Sequence, residues 1–380
     1  MSFGLRIYII VGIFIIVCIA LMVFNFTIIY YGLGNAPLSN KVKKWKSILY
    51  RQAMIIPGKK TSALKHQKLL LIKLSNADNL AAYSNALQYI KHEFPKAYDG
   101  YINNCYTTFG KLADIYSSKP LIELTCYTYF ICHFPQVVGH TYGRVVNTLI
   151  SFIDGSSVYC RANILCALCS IGNVQSVVNA LQVVSDKSLF MHNQLLTKRL
   201  VHFTGDKEIL EEHLWRIGQH WNDNILVSVI QFITQASNKY SEKFLPVLQN
   251  ANYSTEVRTA IIRYYGKYMY EPVRPILIEF VVNPTDVNLT IEAISALTLY
   301  PAPDTIAALK DALSSPRWPI RYSASSTLVE LLTKPDLLAL LQGERRYARE
   351  IADYMLERKN ILQIITPTLE KEMEGEQVTA

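Results

Sequence analysis

From residue 155 onward one helical pattern returns about every 32 residues, and it constrains the fold more than any other feature. Segments beginning at Cys160, Asn193, Ile225, Val257, Val287 and Ile320 align with steps of 33, 32, 32, 30 and 33 residues. Four positions after each start stand Ile164, Thr197, Val229, Ile261, Ile291 and Ala324. Eight positions after stand Leu168, Val201, Ile233, Tyr265, Ser295 and Leu328, and eleven after stand Ile171, Thr204, Ala236, Tyr268, Thr298 and Leu331. With 3.6 residues per turn, these offsets share one helical face. A lone hairpin cannot bury such a stripe, whereas stacked copies can, and the core then grows along a line. Pro, Gly and Asn-Pro breaks separate the helices at intervals of about 15–20 residues, and no series of alternating strands occurs. The expectation is an all-α fold, an α-solenoid of helical hairpins over 155–362 with divergent repeats over 78–154.

Three stretches carry a resemblance. VRTAIIRYYGKYMYEPVRPIL (257–277) resembles the HEAT-repeat pattern: a Val-Arg start, small and apolar residues, a turn, then a Pro-bearing second helix. CRANILCALCSIGNVQSVVNAL (160–181) is similar, with Gly172-Asn173 at its turn, and IRYSASSTLVEL (320–331) repeats the start. The Arg returns as Arg161, Arg258 and Arg321, while Gln194, Leu226 and Asn288 replace it elsewhere. The resemblance covers residues 155–345 and extends only loosely over 78–154. It implies a superhelical armadillo-like α-solenoid of the kind that binds other proteins.

Ahead of the repeats, residues 7–31 form 25 residues without a charge. As a helix they would reach about 37 Å, beyond the roughly 30 Å of bilayer hydrocarbon. This predicts a single transmembrane helix after a stub of residues 1–6, with Tyr30 and Tyr31 at an interface. A cleaved signal peptide fits less well, because its apolar part would be shorter. The flank beyond the span carries Lys41, Lys43, Lys44, Lys46 and Arg51, against Arg6 on the other side. The positive-inside rule then predicts a single-pass protein of the cell membrane with its C-terminal body cytoplasmic.

Charge divides the chain sharply. Residues 1–77 hold eleven Lys and Arg and no acid; subtraction leaves 27 bases and 30 acids for residues 78–380. The basic connection over 32–77 is expected to face an anionic membrane surface or to cap the repeats. The slightly acidic body argues against nucleic acid. The last residues, LEKEMEGEQVTA, fall in an acidic, flexible tail over 363–380.

Few residues suggest chemistry. There is no phosphate-binding Gly-rich loop, no GxSxG elbow and no HExxH motif. His213 and His220 are seven apart and would share a face of a continuous helix. The seven cysteines, Cys18, Cys105, Cys126, Cys132, Cys160, Cys166 and Cys169, form no framework spanning the body and suit a reducing compartment. Cys166 and Cys169 make a CxxC near Cys160, Cys126 and Cys132, which could suggest zinc; packing as small hydrophobes is the simpler expectation. No cofactor, metal or small-molecule substrate is expected. Of 24 tyrosines, Tyr98, Tyr101, Tyr106 and Tyr116 enrich the less regular part, and Tyr264, Tyr265, Tyr268 and Tyr270 cluster. These either anchor a partner or pack in the core.

Six positions after each repeat start stand Cys166, Arg199, Gln231, Arg263, Ala293 and Ser326, pointing away from the apolar stripe. Arg199, Gln231 and Arg263 are the candidate partner-binding ridge, with Lys198, His202 and Lys267 near it; a plain solvated face is the other reading. The expected function is a non-catalytic scaffold or regulatory subunit that binds a protein partner at the membrane. An accessory subunit of a membrane enzyme, such as a glycosyltransferase, is a second possibility. The resemblance also reaches HEAT-like enzymes, bilin lyases and DNA glycosylases, without a catalytic motif here.

Overall fold

A computed structural model of the chain describes residues 15–24, 35–54, 60–333 and 336. Every regular element among them is helical. They fall into two compact units, residues 1–187 and 188–380.

In the first unit, α1 is described over residues 15–24. After it come α2 (Asn35–Ala53), α3 (Lys60–Leu74), α4 (Ala77–Glu93), α5 (Pro95–Tyr116) and α6 (Leu121–His133). A 3-10 segment, Pro135–Thr141, leads into α7 (Tyr142–Ser151), α8 (Val158–Ile171) and α9 (Val174–Asp186). Packing follows a two-row rule. The helices α2, α4, α6 and α8 stack in one row, and α3, α5, α7 and α9 in the other. Hairpin stacking thus begins at α2. The basic connection over 32–77, expected to face a membrane surface or to cap the repeats, contributes α2 and α3 to this stacking and buries Trp45, Leu49, His66, Leu70 and Leu74. Close approach between layers needs Gly110 on α5, where a Cβ would lie 2.7 Å from Thr141.

The second unit continues the design with α10 (Asn193–Val201), α11 (Lys207–Gly218), α12 (Asp223–Ala236), α13 (Ser241–Gln249) and α14 (Thr255–Tyr265). Then follow α15 (Arg274–Val282), α16 (Val287–Ala296), α17 (Pro303–Ala312) and α18 (Trp318–Leu331). One row runs α10, α12, α14, α16, α18, and each of α11, α13, α15 and α17 folds back on the helix after it. This is a solenoid arrangement, and its core lies between the rows.

Capping fixes the register. Ser157, Asn222, Ser254 and Asp286 accept the backbone N–H of Cys160, Ile225, Val257 and Leu289, each three residues on. Such caps satisfy N–H groups that the first helical turn leaves open. The intervals from Ile225 to Val257 and from Val257 to Leu289 are both 32 residues. The alignment on Val287 is therefore two residues early. Ile291 is only half-buried and Ser295 is exposed, while Leu289, Ala293, Leu297 and Tyr300 are buried. At α10 the stripe also drifts: Thr197 is buried, Val201 half-buried and Thr204 exposed, and Leu196, Leu200 and Phe203 fill the core. Elsewhere Ile164, Val229, Ile261, Leu168, Ile233, Tyr265, Ala324 and Leu328 are buried as the alignment requires, but at the eleventh position Ile171, Tyr268 and Leu331 are only half-buried and Ala236 is exposed.

The recurring Arg has a structural task. Arg258 Nε donates to Leu248 O at 3.0 Å and Arg321 Nη1 to Ser315 O at 2.7 Å, while Arg161 reaches Ser156 O. Arg161 and Arg321 tie a first helix to the turn before it, and Arg258 ties one to the last turn of α13. Gly172 ends α8 at φ 78°, the left-handed conformation that favours glycine at a helix C-terminus.

The transmembrane expectation is corrected. Among the described residues no helix is long and apolar enough to cross a membrane. Of the span 7–31, residues 15–24 are helical, and 7–14 and 25–31 lie outside the described residues. The single-pass placement in the cell membrane with a cytoplasmic body rested on that span and falls with it. Residues 1–6 and the tail 363–380 also lie outside the described residues.

Candidate functional site

A concavity that joins polar groups of successive repeats lies in the second unit, between α10 and α12. This open cleft of about 290 Å³ is lined by Gln194, Thr197, Lys198, Val201, His202, Gln231 and Gln235. Its base is fixed by hydrogen bonds. The single Thr197 Oγ1 proton is shared between Ser228 O at 3.3 Å and Gln231 Oε1 at 3.0 Å. Ser228 Oγ bonds Asn224 O at 2.9 Å and Asn193 O at 3.4 Å, and the Asn224 amide reaches Met191 O. Gln231 lines the cleft beside this contact. The rim is exposed at Gln194, Lys198, His202 and Gln235. Amide, ammonium and imidazole donors dominate, and no carboxylate lines the cleft. Such a surface suits carbonyl and carboxylate acceptors of a partner. It offers no paired nucleophile and base.

The proposed ridge is divided. Gln231 lines the cleft together with Lys198 and His202. Arg199 is half-buried on α10, outside the lining. Arg263, on α14, is exposed and pairs with Glu292 of α16, which holds its guanidinium pKa up. Lys267 Nζ donates to Thr234 O at 2.8 Å and sits over the Tyr268 ring, so it braces α12 from the next repeat. Alignment by offset could not reveal that Thr197 and Gln231 bond, because the bond crosses two helices with different stripe registers.

The tyrosines are mostly internal staples. Tyr240 N donates to Tyr264 OH at 3.0 Å; Tyr265 OH donates to Ser241 O at 2.5 Å and Tyr268 OH to Thr234 O at 3.0 Å. Tyr300 OH donates to Tyr265 O at 3.0 Å and accepts from Tyr270 N at 3.1 Å. In the first unit Tyr116 OH donates to Leu74 O at 2.8 Å, and Tyr98 reaches Gln136 at 3.4 Å. His66 Nε2 lies 2.9 Å from Tyr101 OH, which lies 3.1 Å from Tyr83 OH. Burial lowers the His66 pKa from 6.5 to about 4, so this network contains a neutral imidazole. Tyr106 is half-buried.

Of the basic cluster, Lys41 pairs with Asp78 at 3.2 Å and Lys46 lies over the Tyr89 ring at 4.0 Å. Lys43, Lys44 and Arg51 are exposed. The cysteines differ from expectation: Cys132 of α6 and Cys166 of α8 form a disulfide with Cα atoms 5.3 Å apart. These two positions face each other across adjacent layers, which their spacing of 34 residues did not reveal. Cys105, Cys160 and Cys169 are buried thiols. Burial pushes the Cys105 thiol up to about 12, so it stays protonated. His213 bonds Ile209 O within α11, which ends at Gly218, so His220 does not share a continuous helix with it. Among the described residues no group of three or more His, Cys, Asp or Glu is placed to hold a metal.

No protein-family model, curated protein or solved structure matches this chain.

Proposed function

We propose that this protein is a non-catalytic scaffold built on HEAT-like helical repeats, and that it binds a protein partner through the α10–α12 cleft. The observation that carries this reading is the cleft itself. Two successive repeats there leave Gln194, Lys198, His202, Gln231 and Gln235 facing outward around a base that Thr197 holds rigid. Stacked repeats create extended surfaces suited to protein recognition. A fixed polar surface also loses less freedom on binding than a mobile one. The solvated-face reading has less support, because Gln231 and Thr197 are ordered into one hydrogen-bonded layer.

The test is comparative capture. The full chain and a Lys198→Glu/Gln235→Glu variant would be purified from the native host with their associated proteins, quantified by mass spectrometry. Both side chains are exposed, so the variant should keep its helical signal and melting temperature. At least one partner should fall tenfold or more with the variant. Unchanged partner profiles would remove the cleft from the account, and turnover of a substrate by the isolated chain would remove the scaffold reading.

A further inference from the structure

The α3 helix carries an exposed face that the packing of the first unit does not use. Its other face buries His66, Leu70 and Leu74 in the first layer. At 100° per residue, the outward side-chain order is Leu64, Lys68, Ile72, Lys65, Leu69 and Lys73. Apolar and cationic groups therefore alternate across it. Leu64 is 58%, Leu69 39% and Ile72 71% exposed. Exposed aliphatics so close together on a helix held fast by its neighbours call for an occupant. Neither α2 nor α3 contains an acid, and together they hold nine bases, five on α2 and four on α3.

We propose that the outer face of α3 binds an anionic lipid surface from one side, with Leu64, Leu69 and Ile72 entering the headgroup boundary and Lys65, Lys68 and Lys73 meeting lipid phosphates. Charge complementarity gives the sign of the occupant. The residue types choose between an acidic protein and a lipid surface. Protein interfaces favour aromatic residues, Met and Arg and are poor in Lys. The α3 face has Lys, Leu and Ile, and long Lys stems lie along apolar surface while the ammonium stays wet. Lys43, Lys44 and Arg51, exposed on α2, add to the positive potential of the same unit. The proposal does not depend on the α10–α12 cleft.

The experiment places an environment-sensitive fluorophore at Ile72→Cys in the full chain, with Cys18→Ser and Cys126→Ser removing the more accessible thiols. It then adds vesicles of phosphatidylcholine, alone or with phosphatidylglycerol. Because the probe reads residue 72, contacts made elsewhere in the chain do not register. The expected result is a blue shift and a rise in intensity of at least threefold with anionic vesicles and little change with neutral ones. Lys65→Glu/Lys68→Glu should weaken the response about thirtyfold or more, and Lys65→Arg/Lys68→Arg should retain it. No shift with anionic vesicles overturns the proposal. So does an equal shift with neutral vesicles, or the same shift with soluble polyglutamate, which would make the face a site for an acidic protein.

Discussion

Replacing single core candidates by Asp separates the register set by the caps from the one suggested by residue spacing alone. Ile261 and Ile291 occupy the same offset in the sequence alignment, yet Ile261 is fully buried and Ile291 half-buried; Ala293 is fully buried instead. Ile261→Asp loses a buried aliphatic, about 2–4 kcal/mol, and buries a carboxyl without a partner, at least about 2 kcal/mol more. Ala293→Asp forces a larger, polar side chain between α14 and α16 and should cost about 3 kcal/mol or more. Ile291→Asp can turn its carboxylate to water and should cost about 1 kcal/mol, mostly helix propensity and lost partial burial. For a unit of this size each kcal/mol moves the melting temperature by about 2–4 °C. Hydrogen exchange read peptide by peptide, with thermal melts beside it, is the assay. Ile261→Asp and Ala293→Asp should deprotect α12 to α16, and Ile291→Asp should leave them nearly as in the parent. If Ile291→Asp deprotects these helices as strongly as Ile261→Asp while Ala293→Asp is tolerated, the capping argument is wrong.

Three further outcomes follow from individual contacts. His66 has its pKa lowered by burial from 6.5 to about 4, so the unfolded chain takes up a proton that the folded chain refuses between those values. Its contribution is complete above pH 6.5 and is lost as the pH falls toward 4, by at most about 3 kcal/mol. Urea midpoints at pH 7.5 and about 4.5 should differ less for a His66→Asn variant than for the parent. Tyr300→Phe removes the donor to Tyr265 O and the acceptor for Tyr270 N, and should cost about 1–3 kcal/mol in a denaturant titration. Alkylation of denatured, unreduced protein should modify the five free cysteines, and prior reduction should add two more at Cys132 and Cys166. Full alkylation without reduction would show that this pair does not form.

Much of the fold was legible because helical period and repeat length both report burial of one stripe. Ile164, Val229, Ile261 and Leu328 are buried where that stripe requires. The misread repeat at Val287 had a local cause. Val287 and Ile291, four apart, look like the start of a stripe, but the Asp286 cap starts the helix so that Leu289 enters the core first. A cap three residues before the first core position was the available signal, and it is present three times in the second unit's row, at Asn222, Ser254 and Asp286, and at Ser157 in the first unit. The basic connection was read as a membrane-facing segment or a cap of the repeats, and its two helices were not delimited because their apolar faces, Trp45, Leu49, Leu70 and Leu74, stand among so much positive charge. The cleft was legible in part. Gln231 stood out by offset, with Lys198 and His202 near it, whereas Gln194 and Gln235 depend on how two helices cross, which no single-helix pattern encodes. Arg263 looked available until Glu292, from the next repeat, came within reach.

The measurement that addresses the central functional claim most directly is site-specific photo-crosslinking in the native host. A benzophenone side chain would replace Gln235 at the cleft, or Lys310 on exposed α17 as the control position. The account predicts a discrete protein adduct from position 235, absent from position 310 and lost when Lys198→Glu is added. Adducts of equal yield from both positions, or none from 235 while 310 captures a protein, would contradict it.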